Sequence, residues 1–377
     1  MSIYLDNAAT TQLDREVFNE MEPYLLQNFG NPSSHHRHGR IVKTAIENAR
    51  STIADLINAS PNEIIFTSGG TEADNTAIFT SIRLHGVRSV VTSPLEHHAV
   101  LNTLKVLASN GEIELNFVNI DKKGNLDINH LDDILKNNGR SLVSIMHANN
   151  EIGNLNNIEL IGELCNNRGA LFHTDTVQTM GHYRHDLTKI KAHFTAASAH
   201  KFHGPKGTGF IFCRDGVQLS QLLHGGGQER KLRAGTENIH GIVGLAKALE
   251  IAYSHIDQHH AYIQNLKNRM ITKLQESIYD VRFNGNSAIS HNSLYTVLSV
   301  SLPNNASFDL LKYLDLNDIS VSGGSACTTG SASHVLKAIG ADPTRNTIRF
   351  SFSKYNTAEE IDYAVEKIAA VYSPVAA

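Results

Sequence analysis

SAHKFHGPKGTG, at residues 198–209, joins a strand-like apolar run, FTAAS (194–198), to a turn rich in glycine and proline. Lys201 therefore stands just past the end of a predicted strand rather than on a solvated helix face. The carboxyl ends of strands are where open α/β sheets bind ligands. A lysine that is partly desolvated there loses its proton more readily and forms a Schiff base with a carbonyl cofactor. The alternative is an ordinary surface lysine, which this stretch alone leaves open.

Strand-like runs alternate with helical patterns on both sides of this stretch. That order is typical of βαβ units and predicts an α/β fold with a mainly parallel sheet. The predicted strands lie at 63–67, 89–93, 141–148, 170–175, 194–198 and 208–213.

The length of the chain predicts two domains. At 377 residues it exceeds the roughly 250–300 residues at which a single core stops growing. After the strand series, apolar runs at 296–302 and 346–353 alternate with helical patterns, which indicates a smaller α+β unit. The prediction is a large domain at 14–256 and a small domain formed by 1–13 and 257–377.

Composition and charge narrow the classes of function. The net charge is −4 and no Lys/Arg-rich stripe is present, so we expect no nucleic-acid partner. The start, MSIYLDNAATTQ, lacks a leader pattern, and no apolar run approaches the ~20 residues of a membrane helix. We therefore expect a cytoplasmic protein without a membrane partner. The three cysteines are too scattered for a disulfide framework, and neighbouring histidines such as His97 and His98 do not imply a metal site.

Two further motifs follow predicted strands. FTSGGTEADN (66–75) places glycine amides at a helix start, where they can hold an anion, although a plain turn capped by Ser68 or Thr71 would look the same. FHTDTVQ (172–178) ends a strand with Asp175, which either caps the next turn or faces a protonated pyridine nitrogen. Together with Lys201, these motifs indicate an enzyme that uses pyridoxal phosphate (PLP).

Nine motifs in order make the sequence resemble the cysteine desulfurases of the NifS/IscS type, PLP enzymes related to class V aminotransferases. The resemblance covers nearly the whole chain and implies the fold type I of PLP-dependent transferases, with a mainly parallel seven-stranded sheet in the large domain and a smaller α+β domain. The motifs are YLDNAATT (4–11), FGNPSSHHRHG (29–39), FTSGGTEADN (66–75), MHANNEIG (146–153), HTDTVQ (173–178), SAHKFHGPKG (198–207), HGGGQERKLRAGTENI (224–239), SGGSACTTGS (322–331) and TIRFSF (347–352).

The resemblance implies a set of cofactor-binding residues. Lys201 would bind PLP covalently, Asp175 would pair with the pyridine nitrogen, and Gln178 would bond the ring hydroxyl. The residues implied for the phosphate are Gly70, Thr71, Ser198 and His200.

Other roles follow from the same resemblance. His97 would stack on the ring and assist proton transfer, while Asn150 and Arg349 would receive the substrate carboxylate. Thr236 would reach the phosphate of a neighbouring subunit, which implies a homodimer. Without the family resemblance, His97 would be interpreted as a buried histidine whose hydrogen bonds are made within the core. Arg349 would be interpreted as a surface arginine and Thr236 as a helix N-cap.

The resemblance also gives a role to Cys327, which lies among small residues in SGGSACTTGS (322–331). In this family a protein thiolate attacks the sulfur of L-cysteine, alanine leaves, and the protein keeps a persulfide for a sulfur-acceptor protein. Cys327 matches that nucleophile, and a loop of small residues suits a thiol that must travel. For Cys165 and Cys213 we expect small buried hydrophobic residues instead.

Alternatives remain open at this stage. One is another PLP enzyme of the same fold, a class V aminotransferase or a selenocysteine lyase; another is a non-catalytic interaction protein. The chain stops at VYSPVAA, without the longer tail with which relatives dock an iron–sulfur scaffold protein. The sulfur acceptor is therefore left open.

Overall fold

The computed structural model describes residues 2–304, 309–323 and 333–372 of the chain. The strands are β1 (Ile3–Tyr4), β2 (Ile64–Thr67), β3 (Ser89–Thr92), β4 (Glu114–Phe117), β5 (Ser141–Ser144), β6 (Leu171–Asp175), β7 (Phe194–Ser198), β8 (Gly209–Cys213), β9 (Arg282–Phe283), β10 (Val297–Leu302), β11 (Ile319–Ser320), β12 (Ser322–Gly323) and β13 (Asn346–Ser351). The α-helices are α1 (Arg15–Leu26), α2 (Arg37–Leu56), α3 (Gly70–Arg83), α4 (His98–Ser109), α5 (Ile128–Asn137), α6 (Ile158–Arg168), α7 (Gln228–Lys231), α8 (Ile239–Ser254), α9 (Ile256–Ser277), α10 (Leu310–Leu316), α11 (His334–Ala338) and α12 (Ala358–Tyr372).

The main sheet has seven strands in the order β2-β8-β7-β6-β5-β3-β4. β8 runs antiparallel to both of its neighbours, and the other neighbouring pairs are parallel. Every strand except β8 therefore points the same way, and the predicted α/β fold with a mainly parallel seven-stranded sheet is confirmed.

Burial explains why these segments are strands. Every residue of β2, β3, β5, β6, β7 and β8 is buried. Continuous burial on both faces is typical of a sheet covered by helices on each side. On one side the apolar core takes in side chains of α1, α2 and α8, and α8 packs against both α1 and α2.

A second sheet follows in the order β12-β13-β10-β9, with antiparallel neighbours. Its apolar cluster includes residues of α9 and α12 together with Ile3 and Leu5, and β1 pairs with β11. The first residues of the chain thus pack with its last third. The helical region breaks at His255, between α8 and α9; the division into two domains and its boundaries stay a prediction.

Within the described ranges, none of the helices combines the length and the apolar character that crossing a bilayer requires.

Candidate active site

Four neighbouring strands of the main sheet end at one edge, and the predicted site residues follow these ends. β3, β5, β6 and β7 are parallel, so their carboxyl ends meet there, as in other open α/β sheets that bind ligands. Asp175 is the last residue of β6, and Ser198 is the last residue of β7. Lys201 closes a short 3₁₀ turn, Ala199–Lys201, that begins directly after β7.

The ε-amine of Lys201 contacts the N-terminal segment. Its Nζ donates to the carbonyl oxygens of Ala8, at 2.6 Å, and Ala9, at 2.9 Å. Burial, assisted by the positive charge of Arg349, lowers the pKa of Lys201 to about 8. A usable fraction of the amine is therefore neutral near physiological pH, and the neutral amine is the form that attacks a carbonyl carbon.

Asp175 is buried, with 6% of its surface exposed. One oxygen, Oδ1, accepts a hydrogen bond from the Val177 N–H at 2.8 Å, so the turn-capping interpretation of this residue is correct as far as it goes. Burial raises the pKa of Asp175, and the nearby Asp74 raises it further. An ionised carboxylate in this position needs a positive partner, which a protonated ring nitrogen would supply.

The loop after β2 has the form of an anion site. Gly69, with φ +151°, precedes α3 and has no side chain with which to cap it, so the expectation that Ser68 or Thr71 caps this helix is wrong. The first N–H groups of α3 are left free to bind an anion. A Cβ at Gly70 would lie 2.5 Å from Cγ2 of Val177, so only glycine permits this close approach.

His200 lies beside the loop after β2. Its Nδ1 lies 3.1 Å from Oγ1 of Thr10, and burial lowers the pKa of its imidazole to about 4. A cavity of about 350 Å³ opens between the loop after β2 and the stretch after β7, where Ser198, His200 and Lys206 line it. A neutral imidazole, a hydroxyl and free helix amides are suitable donors for a phosphate group.

His97 caps the N-terminus of α4, because its Nδ1 accepts a hydrogen bond from the Ala99 N–H at 3.2 Å. Its ring also faces the cavity at the sheet edge. Desolvation lowers the pKa of His97, while the carboxylate of Asp175 opposes this effect. In the neutral form the proton is on Nε2, since Nδ1 is the acceptor.

Arg349 lies on β13, in the second sheet, and its side chain is only 12% exposed. Its Nη1 donates to the carbonyl oxygen of Asn150 at 3.0 Å, and its Nη2 donates to Oδ1 of Asp6 at 2.8 Å and to Oγ of Ser322 at 3.1 Å. Its Nε is buried without a hydrogen-bond partner among the described residues. The surface-arginine interpretation is therefore wrong. Two of the five N–H groups of the guanidinium, those on Nε and the second on Nη1, have no acceptor among the described residues.

One cavity of about 270 Å³ brings most of the predicted residues together. It opens at the carboxyl edge of the main sheet and is lined by side chains from five separate segments. The predicted residues that line it are Gly70, Thr71, His97, Asn150, Asp175, Gln178, Ser198, His200 and Lys201.

Three predicted residues are not among those that line this cavity. Arg349 lies beside it, bonded to the carbonyl of Asn150. Thr236 is exposed on the segment before α8 and lies outside the described lining; the N-cap of α8 is Asn238, so the capping alternative for Thr236 is wrong. Cys327 lies outside the described residues. The other cysteines, Cys165 and Cys213, are buried as expected, and burial raises the pKa of each thiol to about 12.

The N-terminal segment contributes to the site in a way that the sequence did not predict. Asp6 bonds Arg349, the carbonyls of Ala8 and Ala9 hold Lys201, and Thr10 contacts His200. The motif YLDNAATT was the available signal, but nothing in it marks main-chain carbonyls as ligands. The position of Asp74 in the cavity lining was not predicted either. Asp74 lies inside α3, and only the packing of that helix against the sheet turns its side chain towards the cavity.

The residues present fit PLP. The cavity offers an amine with a lowered pKa at Lys201 and a buried carboxylate at Asp175, which bonds the Val177 N–H but forms no ion pair with a Lys or Arg side chain of the described residues. Gln178 supplies a side-chain amide, whose Nε2 donates to the carbonyl of Ala8 at 3.1 Å. The amides at the start of α3 supply an anion site, and a side chain at Gly70 would clash with Val177 beside it. These groups match the aldehyde, ring nitrogen, ring hydroxyl and phosphate of that cofactor.

Known proteins resemble this chain over nearly its whole length. The family model of class-V aminotransferases matches residues 3–364. The cysteine desulfurase IscS of Dictyoglomus turgidum is 40% identical over 97% of this chain and 93% of its own. Among solved structures, a NifS-like protein superposes with a TM-score of 0.90 at 36% identity, covering 98% of this chain and 99% of its own. SspA, solved in complex with cysteine, gives a TM-score of 0.81 at 30% identity, with 94% and 100% covered.

The family model covers the residues of both sheets, and the IscS and NifS-like relatives match nearly the whole chain, including the segments that line the cavity. Proteins of this family depend on PLP, in agreement with the donor set at the sheet edge. The chain therefore belongs to the class-V aminotransferase family and, within it, to the cysteine desulfurases of the NifS/IscS type.

Proposed function

We propose that this chain converts L-cysteine to L-alanine with PLP and keeps the sulfur as a persulfide on Cys327. The observation that carries the proposal is the convergence of Lys201, Asp175 and His97 on one cavity, with Arg349 beside it. The similarity to SspA, which was solved with cysteine, supports the choice of substrate.

The cofactor would be held at five points. Lys201 would bond it covalently, Asp175 would face its ring nitrogen, Gln178 would bond its ring hydroxyl, and His97 would cover one face of the ring. The phosphate would be bound by Gly70, Thr71, Ser198 and His200. When bound, PLP supplies a ring that withdraws electrons from the substrate carbon.

The substrate carboxylate would bind beside this ring. The guanidinium of Arg349 is oriented by Asp6 and by the Asn150 carbonyl, and its second Nη1–H and its Nε–H, which have no partner among the described residues, would donate to the carboxylate. Arg suits this role because its planar fork binds a carboxylate at two points. The side chain of Asn150 lines the cavity and would donate to the same carboxylate.

Proton transfer would fall to His97 and Lys201. In the neutral form, His97 carries its proton on Nε2 and presents it to the cavity, while Lys201 has a pKa near enough to neutrality to accept and return a proton. Because both side chains sit in a partly closed cavity, the protons they exchange stay near the substrate carbon atoms.

Sulfur transfer would use Cys327 as the nucleophile. Its thiolate attacks the substrate sulfur, so that an S–S bond forms while the Cβ–S bond of the substrate breaks. The electron pair of the broken bond stays with the carbon atoms, which take up a proton and leave as alanine. The persulfide then passes to an acceptor, such as a protein of iron–sulfur cluster assembly or of thiolation. A homodimer in which Thr236 reaches the partner's phosphate site, and a cytoplasmic location, remain part of the proposal.

The decisive experiment is a product analysis. Purified protein loaded with PLP is incubated with L-cysteine, and alanine and sulfide are measured with and without a reductant. We expect alanine in both cases, and sulfide in excess of the enzyme only with reductant, which releases it from Cys327. Cys327→Ser should form no persulfide, and Lys201→Ala should form no product. Amino transfer that depends on a keto acid, without sulfide, would contradict the proposal and favour an aminotransferase.

A further inference from the structure

In the 3₁₀ turn Ala199–Lys201, the last main-chain carbonyl, that of Lys201, is bonded by the side chain of His182. The carbonyl of Ala199 accepts the Phe202 N–H at 3.1 Å, and that of His200 accepts the Thr11 N–H at 2.9 Å. The carbonyl of Lys201 instead contacts Nε2 of His182 at 3.0 Å. The orientation of the peptide that carries the lysine therefore depends on the imidazole of His182.

The hydrogen bonds fix the tautomer of His182. A carbonyl oxygen only accepts, so Nε2 must carry a proton. Burial lowers the pKa of His182, which favours the neutral ring and leaves a lone pair on Nδ1. The phenol of Tyr295 lies 3.1 Å from Nδ1 and 3.2 Å from the main-chain carbonyl oxygen of His182, so its single proton is shared between two acceptors of the same residue. A donor beside Nδ1 favours the tautomer that can hold the carbonyl of Lys201, and the bond to the carbonyl fixes the main chain of His182.

Both residues are themselves held firmly. Tyr295 is 1% exposed and belongs to the apolar cluster of the second sheet, where the ring of His260 packs against it with centroids 4.4 Å apart. His182 follows Gly181, whose φ is +79° and where a Cβ would lie 2.6 Å from Cβ of Phe202. The segment before His182 therefore packs directly against the residue that follows Lys201.

We propose that His182 and Tyr295 are positioning residues for Lys201, which connect the cofactor-binding turn of the main sheet to the core of the second sheet. This inference rests on the proposed function, because its consequence is the orientation of the amine that would bond PLP. Neither residue lines the described cavity, so both act through the main chain of Lys201 and not by contact with the substrate.

The test compares two phenol deletions. Tyr295→Phe removes the donor to His182, and Tyr253→Phe is the matched control, since the Tyr253 phenol is also buried but accepts from the His185 N–H. His182→Ala removes the imidazole, and His182→Gln restores an N–H donor. Three quantities are measured: the dissociation constant of PLP, the pH midpoint of the visible absorption band of the PLP–Lys201 adduct, and the thermal midpoint of the PLP-free protein.

We expect Tyr295→Phe and His182→Ala to weaken PLP binding by about 2- to 12-fold, the range for losing one hydrogen bond, and to shift the pH midpoint of the absorption band. Tyr253→Phe should lower the thermal midpoint without either change, and His182→Gln should recover part of the affinity. In the PLP-free protein, ¹⁵N NMR should find the proton of His182 on Nε2, and Tyr295→Phe should give a tautomer mixture.

These measurements distinguish failure of the positioning role from failure of the proposed function. If wild-type protein forms the PLP adduct but Tyr295→Phe and Tyr253→Phe behave alike, or if the proton of His182 lies on Nδ1, the positioning role is wrong while the proposed function stands. If the wild-type protein forms no adduct with PLP, the proposed function and this inference both fail.

Discussion

At the scale of single residues, Lys201 combines burial with a positive neighbour. The low-polarity setting and the Arg349 guanidinium both disfavour the ammonium form and lower the pKa to about 8. Below this pH the amine is mostly protonated and cannot attack an aldehyde; above it the neutral form dominates. The rate at which PLP-free protein forms its adduct should therefore rise with pH through a midpoint near 8 and then level off.

Absorbance stopped-flow between pH 6 and 10 would measure this rate, with Lys201→Ala as the variant that forms no adduct and Lys189→Ala, an exposed lysine outside both cavities, as the control that keeps it. A midpoint near the ordinary lysine value of about 10.4 would contradict the electrostatic argument. A borohydride-stable label on a different lysine would contradict the assignment of Lys201 itself.

Asp175 is the proposed partner of the ring nitrogen of the cofactor. Asp175→Asn keeps the size of the side chain and its turn but removes the negative charge that would face the ring nitrogen. A hydrogen bond to a charged group contributes about 1.5–3 kcal/mol, so PLP should bind about 10- to 150-fold more weakly. Equilibrium dialysis of PLP would measure this, with Asp186→Asn, outside the cavity, as control. Unchanged affinity in Asp175→Asn would mean that the carboxylate only shapes the turn.

Arg349 offers a separate test of substrate binding. Arg349→Lys keeps a positive charge but loses the planar fork, so KM for cysteine should rise about 10-fold or more while PLP affinity stays the same. Steady-state alanine formation would give KM, with Arg345→Lys as a control, because Arg345 is a similarly buried arginine that pairs with Asp280 instead. Should KM match that of the parent protein, the substrate carboxylate binds elsewhere.

The site position of a single residue was predictable from the sequence where that residue stands at or just after the end of a strand. Lys201 and Asp175 follow apolar runs whose ends could be read directly, and the structure places both in the cavity. Asp6 and His182 could not be read in this way. Their partners, Arg349 and the Lys201 carbonyl, are more than 300 residues and nearly 20 residues away in sequence, and only the folded chain brings them into contact.

At the scale of elements, the stretch 228–236 is attached to α2, β2 and α3 through the side chains of Glu229 and Arg233. The carboxylate of Glu229 accepts from both Nη atoms of Arg50 and from the Phe66 N–H. Arg233 forms a two-point ion pair with Glu72 on α3. Glu229 also has a left-handed φ of +43°, a conformation that persists only where surrounding contacts hold it. These contacts fix the course of the chain that leads to Thr236.

This attachment gives a stability prediction. Arg50→Met would leave Glu229 buried without its partner, which should lower the free energy of unfolding by about 3–5 kcal/mol. Arg269→Met is the matched control, because the pair of Arg269 with Asp362 is largely exposed and should contribute at most about 1 kcal/mol. Urea unfolding of the PLP-free proteins would compare them. Equal shifts would mean that the buried pair is dispensable.

The elements themselves were predictable to different degrees. The buried strands of the main sheet, such as β6 and β7, show as apolar runs because both faces are covered. The two-residue strands β1, β9, β11 and β12 carry no such pattern, since their pairing is decided by neighbours distant in sequence. The antiparallel direction of β8 was likewise hidden, because it follows from the course of the connection and not from composition.

At the scale of the whole molecule, the candidate site draws on both sheets. The main sheet supplies the residues for the cofactor, while β13 supplies Arg349 and the N-terminal segment lies between them through Asp6. Family resemblance predicted this arrangement in outline. The open cavity of about 350 Å³ beside the phosphate loop and the exposed Thr236 are what a site completed by a second subunit would leave in one chain.

The dimer proposal can be tested by complementation. Lys201→Ala removes the covalent anchor from its own subunit, and Thr236→Asp places a negative charge where the partner's phosphate would bind. In a mixed dimer, one site combines Lys201 of one subunit with Thr236 of the other and is intact, while the second site carries both defects. Mixing the two inactive proteins under conditions of subunit exchange should therefore restore alanine formation. Thr236→Ser, which keeps the hydroxyl, should remain active alone. Sedimentation that finds a fully active monomer at assay concentration, or a mixture that stays inactive although mixed dimers form, would show that each chain builds its site alone.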